Sequence, residues 1–351
     1  MRTAERAAVA VVVVLGGLAA LAHYDHWTAL GAFAMATAAL AGTAWVVALA
    51  TGEVGERLGP AATGLLQATV GNLPELFVVI FALRAGEQEV AQSAIVGSLF
   101  ANALLVMGVV VIVGALTARD GIMRFDPRAP RDASTLLLVC AFIIVLVGIS
   151  LSSHYLDGHH VKAISGIAAV LLLAVYLAWV IPYVRRDSGG GGGGAAAAAR
   201  VSITAALVLL VGAGVGSAFV SDWFIDALRP AIHRLGISQA FAGLVIVAIA
   251  GNAVEQVTAV VLAARRRSEL AIAVVVNSVA QIAAFLFPVL VLISLTMHTS
   301  LTFALHPIYI AALAASAIVV WQITDDGEGH PYEGMALVAT YLVLAMITFY
   351  D

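Results

Sequence analysis

Two acids stand where an acid is costly. Glu75 and Glu255 each lie inside a long apolar stretch, and the same dipeptide introduces both: Gly71-Asn72-Leu73-Pro74-Glu75 and Gly251-Asn252-Ala253-Val254-Glu255. A carboxylate at membrane depth costs roughly 2.5–3.5 kcal/mol on insertion scales, so such residues mark ion or proton pathways. Asn72 and Asn252 each precede their acid by three residues and share its helix face. A further apolar stretch follows each acid. One carries Ser98 and Asn102, four apart; the other carries Asn277, Ser278 and Gln281 within about a turn. The donors are carboxylate, hydroxyl and amide oxygens, with no thiol or imidazole among them. Such ligands suit hard cations: Ca2+ takes about 6–8 oxygens, whereas transition metals favour nitrogen or sulfur. The expected metal site is therefore Glu75, Glu255, Asn72, Asn252, Ser98, Ser278, Asn102 and Gln281, with the two acids also carrying protons. Gln256, Asn277, Gly71 and Gly251 are further positions expected along the pathway.

These residues must be positioned by membrane helices. Of 351 residues, 62% are hydrophobic and 11% charged, with a mean hydropathy of +1.04. A soluble domain is nearer half apolar and a quarter charged. Apolar runs of roughly 20 residues, the length that crosses the hydrocarbon as a helix, recur throughout. They predict an all-α polytopic membrane protein with about 11 spans, near 7–23, 28–50, 60–84, 89–117, 134–152, 161–184, 201–220, 238–264, 270–297, 303–323 and 333–350. With the N-terminus in the cytoplasm, only Arg84, Lys162, Arg229 and Arg234 of the 17 Lys and Arg fall outside. The opposite orientation would invert that ratio, so the chain reads N-in. The first span follows Arg2 and Arg6 and ends at Ala20-Leu21-Ala22; a retained helix is preferred to a signal peptide because the apolar run is long. Cys140, the one cysteine, allows no intrachain disulfide and reads as packing.

Residues 185–200 hold Arg185-Arg186-Asp187-Ser188, six glycines and five alanines, and read as a cytoplasmic tether. It separates an extra N-terminal helix (1–26) and a five-helix repeat (27–184) from a second five-helix repeat (201–351). Shifting by 180 positions superimposes Gly71 on Gly251, Asn72 on Asn252, Glu75 on Glu255, Glu89 on Glu269 and Ser98 on Ser278. An odd number of spans per repeat makes the second run in the opposite sense. This 1 + 5 + 5 layout with inverted topology is the plan of secondary transporters, whose sites lie near the midplane where helices are interrupted. Gly71 and Pro74 supply such an interruption in the first repeat; Val254 in place of Pro74 predicts a milder one in the second.

The pairs Gly71-Asn72-x-x-Glu75 with Gly97-Ser98-x-x-x-Asn102, and Gly251-Asn252-x-x-Glu255 with Ser278-x-x-Gln281, resemble the two repeats of the calcium/proton antiporter (cation/proton exchanger) family, within the calcium/cation antiporter superfamily. The resemblance covers nearly the whole chain. It implies that Glu75 and Glu255 bind Ca2+ and H+ alternately and that Asn72, Asn252, Ser98, Asn102, Ser278 and Gln281 line the path. It also favours proton over sodium coupling, because the sodium/calcium branch typically has Gly-Thr-Ser before its acid. Two positions depart from the family: Gln256 replaces a common His, and Asn277 replaces a usual Gly.

Bare carboxylates in a low dielectric disfavour an occluded empty site, and either one Ca2+ or two protons would discharge them. That logic enforces exchange and predicts at least about two protons per Ca2+, titrating as a pair. Other readings stay open: an antiporter of Na+, K+ or Mn2+ against H+, Na+-coupled Ca2+ exchange, or, remotely, an intramembrane enzyme. No His-Glu-x-x-His motif or aspartate at depth supports the last. No prosthetic group and no nucleic-acid partner is expected; the partners are Ca2+, H+ and the bilayer. Abundant Arg and Ala suggest a bacterial plasma membrane. Glu89 and Glu269 read as solvated helix starts, Arg265 to Arg267 as an orientation signal, Glu53 and Glu56 as a solvated cytoplasmic mouth, and Asp325, Asp326 and Glu328 as an acidic loop.

Overall fold

The computed structural model describes residues 3–25, 27–58, 70–152, 158–189 and 202–350. Within them the chain is almost wholly helical, as it must be where lipid cannot satisfy backbone polar groups. The helices are α1 (Thr3–Tyr24), α2 (Ala29–Leu58), α3 (Leu73–Arg84), α4 (Gln88–Thr117), α5 (Arg128–Ser152), α6 (Gly158–Gly189), α7 (Ile203–Leu235), α8 (Gln239–Ala264), α9 (Ser268–Ser294), α10 (Pro307–Thr324) and α11 (Pro331–Phe349). Ten of these are long and apolar enough to cross a membrane; α3 is the shorter one. The predicted span 60–84 is described only from Val70, and positions 190–200 of the expected tether also lie outside the described residues. Arg185 to Ser188 belong to α6.

Two compact units are present, and each draws on both sequence repeats. The first comprises Met1–Ala85, Leu177–Ile237 and Ala250–Val254. Its centre is the pairing of α2 with α7, where Val46, Val47, Ala50 and Val54 meet Ala206, Leu210 and Ala213. Ala50, Ala206 and Ala213 let the backbones approach, since helices in lipid associate by close van der Waals fit. α7 runs to Leu235 rather than to residue 220, and its 33 residues span about 50 Å. The apolar run stops near Val220, but the helical pattern does not: Phe224, Ala227, Leu228 and Ala231 continue a buried stripe past Asp222 and Asp226. Gly236, left-handed at φ 65°, ends the helix.

Glu53 corrects an expectation. α2 extends to Leu58, so Glu53 sits within a packed helix at 6% exposure instead of in a solvated mouth.

The second unit comprises Gly86–Tyr176, Ser238–Ile249 and Glu255–Asp351. Here α4 packs against α11 and against the first turns of α8, and α5 packs against α10 and α9. At the α4–α8 crossing, a Cβ on Gly97 would stand 2.5 Å from the Leu244 Cα and carbonyl oxygen, so only glycine fits. A two-residue antiparallel pair, β1 (Met123–Arg124) with β2 (Glu328–Gly329), ties the α4–α5 and α10–α11 connections together. Arg124 Nε reaches Glu328 Oε1 at 3.1 Å, and Arg131 Nη2 reaches Asp325 Oδ1 at 2.8 Å. Two of the three acids expected to sit in solvent are thus answered by arginines. Arg124 also pairs with Asp120 and holds its carboxyl below the usual range.

Candidate functional site

The motif of the first repeat stands at a turn and a helix start. Val70 is helical, Gly71 and Asn72 form a turn, and α3 starts at Leu73. Pro74 lies in the first turn, where a missing N–H goes unnoticed. Asn72 occupies the N-cap position, but its side chain makes no capping bond; it is buried, and its Nδ2 has no hydrogen-bond partner among the described residues. Glu75 therefore stands in the first turn of α3, where the helix dipole favours a negative charge.

Glu75 is 7% exposed, and its Oε1 accepts a hydrogen bond from Asn252 Nδ2. The donor comes from the motif of the second repeat. Gly251 makes the approach possible: a Cβ there would lie 2.9 Å from Glu75 Cγ and 3.6 Å from its Oε1. Behind α3, α7 presents Ser221, which donates from Oγ to the Pro74 carbonyl at 3.5 Å. Ser217, one turn earlier, is fully buried with no hydrogen-bond partner among the described residues. Neither serine was expected from the sequence. Their spacing of four on one apolar helix was the available signal.

The second motif does not break its helix. Residues Ala248–Ala264 form continuous α-helix through Gly251 and Glu255. Val254 retains the N–H that Pro74 lacks, so the ladder closes and the milder interruption predicted at this motif is absent. The irregularity lies a turn earlier, where Ala242–Val247 are wound as π-helix. Half-buried Glu255 has Ser278 as its side-chain hydrogen-bonding neighbour. Ser278 Oγ also accepts from Asn102 Nδ2 at 3.2 Å. Glu255 Oε2 and Gln256 Nε2 have no hydrogen-bond partner among the described residues.

α4 and α9 each carry a π-wound segment beside their polar residues. In α4 it is Ala101–Val106 and contains Asn102; in α9 it is Ile282–Leu286 and follows Gln281 directly. A π-turn shifts the side-chain register and loosens the ladder, a device frequent at functional sites. It was invisible in the sequence.

The structure thus gathers Glu75, Asn252 and Gly251 in one cluster, and Glu255, Ser278 and Asn102 in another. Ser98 is buried on α4; Gln281 and Asn277 are half-buried on α9. Among the described residues no three His, Cys, Asp or Glu side chains converge as a metal cage.

A sodium/calcium exchanger protein model matches residues 28–181 and again 205–350. This chain belongs to the sodium/calcium exchanger family. A Ca2+/H+ antiporter of Synechocystis is 30% identical, covering 97% of this chain and 96% of its own. A Ca2+/H+ antiporter of Aphanothece halophytica is 28% identical over 94% and 93%. The structure of native YfkE superposes with a TM-score of 0.81 at 25% identity, covering 97% of this chain and 98% of that one. As a family member the protein is a multi-pass, all-α transporter and not an enzyme.

Proposed function

We propose that this protein exchanges Ca2+ for H+ across a bacterial plasma membrane, N-terminus inside, with Glu75 and Glu255 carrying Ca2+ and protons in turn. The observation that supports it most is the hydrogen bond from Asn252 to Glu75. The amide of one motif serves the buried acid of the other, so the two repeats act on one chemistry. Both close relatives are Ca2+/H+ antiporters by name.

The chemistry follows from the donors. A bound dication would meet carboxylate and neutral oxygens, the set Ca2+ accepts. Asn72, Asn252, Ser98, Ser278, Asn102 and Gln281 supply those neutral oxygens, and Gly71, Gly251, Gln256 and Asn277 shape the path. Glu75 needs a compensating charge when ionised, and the first turn of α3 with Asn252 supplies only part of it. Ca2+ or protons complete the neutralisation, which couples the two fluxes. Na+ is not required by any of these residues.

The test is Ca2+ uptake into proteoliposomes under an imposed pH gradient, with and without Na+ and with competing K+ or Mn2+. Uptake that needs the pH gradient and ignores Na+ supports the reading. Uptake that needs a Na+ gradient instead would reassign it.

A further inference from the structure

The first unit carries a groove bounded by α1 and α7 over α2, and neither acid is among its lining residues. Its apolar part is about 390 Å3 and is lined by Val9, Val12, Val13, Val208, Leu209 and Phe219 among others. The floor is opened by glycines: around Gly16 and Gly212 no heavy atom lies within 4 Å of where a Cβ would stand. Val13 and Val208 are 69% and 67% exposed on spans meant for lipid, so the groove opens to the acyl-chain region.

Trp223 stands at one end of its lining. Trp223 also lines a second cavity of about 490 Å3, with His23, Tyr24, Trp27 and Asp226. Among the described residues His23 and Asp226 are the ionisable groups lining it besides the Tyr24 phenol; His23 Nδ1 lies 3.9 Å from Asp226 Oδ2. Tyr24 and Trp223 stand edge to face at 6.2 Å, and Trp27 completes an aromatic rim. Aromatic rims of this kind mark the level of lipid headgroups. A carboxylate beside aromatic faces favours an ammonium and disfavours a net anion. It also accepts hydrogen bonds, which a primary ammonium can donate and a quaternary one cannot.

We propose that these two cavities, which meet at Trp223, together bind a phospholipid with a primary ammonium headgroup, phosphatidylethanolamine, its acyl chain along Gly16 and Gly212 and its headgroup at Asp226 between Tyr24, Trp27 and Trp223. Charge complementarity at Asp226 and the apolar and polar cavities sharing Trp223 select this occupant. None of its lining residues is among those assigned to exchange, so its test reads lipid retention and not flux.

The experiment is native mass spectrometry of the purified full chain, delipidated and then given equimolar phosphatidylethanolamine, phosphatidylcholine and phosphatidylglycerol with identical acyl chains. Wild type is expected to retain phosphatidylethanolamine roughly threefold or more over the other two. Asp226→Asn, a conservative change at a side chain 57% exposed, should erase that preference. Gly212→Leu should fill the groove and lower retention of all three. Equal retention of the three lipids by wild type, preference for phosphatidylglycerol or phosphatidylcholine, or a preference untouched by Asp226→Asn would overturn the proposal. So would a groove-mediated dimer that excludes lipid.

Discussion

The same five-residue motif builds two different backbones. In the first repeat, Gly71-Asn72 is a turn and Glu75 sits at the start of a new helix; in the second, the helix runs unbroken through Gly251-Asn252 to Glu255. One residue accounts for the contrast. Pro74, which could not donate within a helix interior, stands in the first turn of α3; Val254 keeps its N–H and lies mid-helix. The acids consequently receive different support. Glu75 has a helix N-terminus and the Asn252 amide, whereas Glu255 has a mid-helix position and the Ser278 hydroxyl. A repeat can conserve the chemistry of its acid while changing how the backbone pays for it.

The largest effect should come from the acids themselves. Glu75→Gln and Glu255→Gln are each expected to reduce proton-driven Ca2+ uptake to background while the purified proteins keep wild-type melting behaviour. Retention of wild-type uptake by either would show that only one half carries the ion. Exchanging the backbone element comes next. Val254→Pro should destabilise α8 by about 3 kcal/mol, seen as a lowered melting temperature. Pro74→Val should leave stability nearly unchanged, because its N–H falls where a helix has no acceptor for it. Comparable melting losses in both variants would erase the contrast drawn here.

Gly251→Ala tests whether the approach to Glu75 matters, since the new Cβ would crowd Glu75 Cγ. Removing the amide in Asn252→Ala is expected to weaken Ca2+ dependence by about tenfold, the scale of a hydrogen bond to a charged group. Gly251→Ala should act in the same direction, read as a raised half-saturating Ca2+ concentration. If Asn102→Ala, which loses its bond to Ser278, acted more strongly than Asn252→Ala, the second cluster would be the more demanding one.

The smallest effect belongs to the clip. Arg124→Ala removes an exposed pair, so uptake should change by no more than about twofold. The depressed Asp120 carboxyl sets the sign with pH. Its contribution is present above the ordinary carboxylate range and is lost as pH falls through its lowered value. Arg124→Ala and wild type should therefore differ least in strong acid, checked by melting at neutral pH and at a pH well under the ordinary carboxylate range.

Much of this was legible in the residues. Apolar runs pointed to an all-helical membrane chain, because in lipid an apolar segment of that length has few alternatives to helix. The acids, their asparagines and the 180-residue offset singled out the motifs. What could not be read was register and continuation. α7 outlasts its apolar run because a helix needs only a buried stripe, which Phe224, Leu228 and Ala231 provide. Glu53 is buried because α2 overran the boundary that its polar composition suggested. The π-segments of α4, α8 and α9 consist of ordinary apolar and small residues, so local composition gives no warning of them.

The central claim is that the two acids hold either protons or Ca2+. Adding Ca2+ to purified protein in weak buffer, with a pH indicator, measures it directly, because metal binding to protonated ligands must release protons. Wild type should release about two protons per bound Ca2+, and the Glu75→Gln/Glu255→Gln double variant none. Ca2+ binding without proton release, or release unchanged in the double variant, would contradict the account.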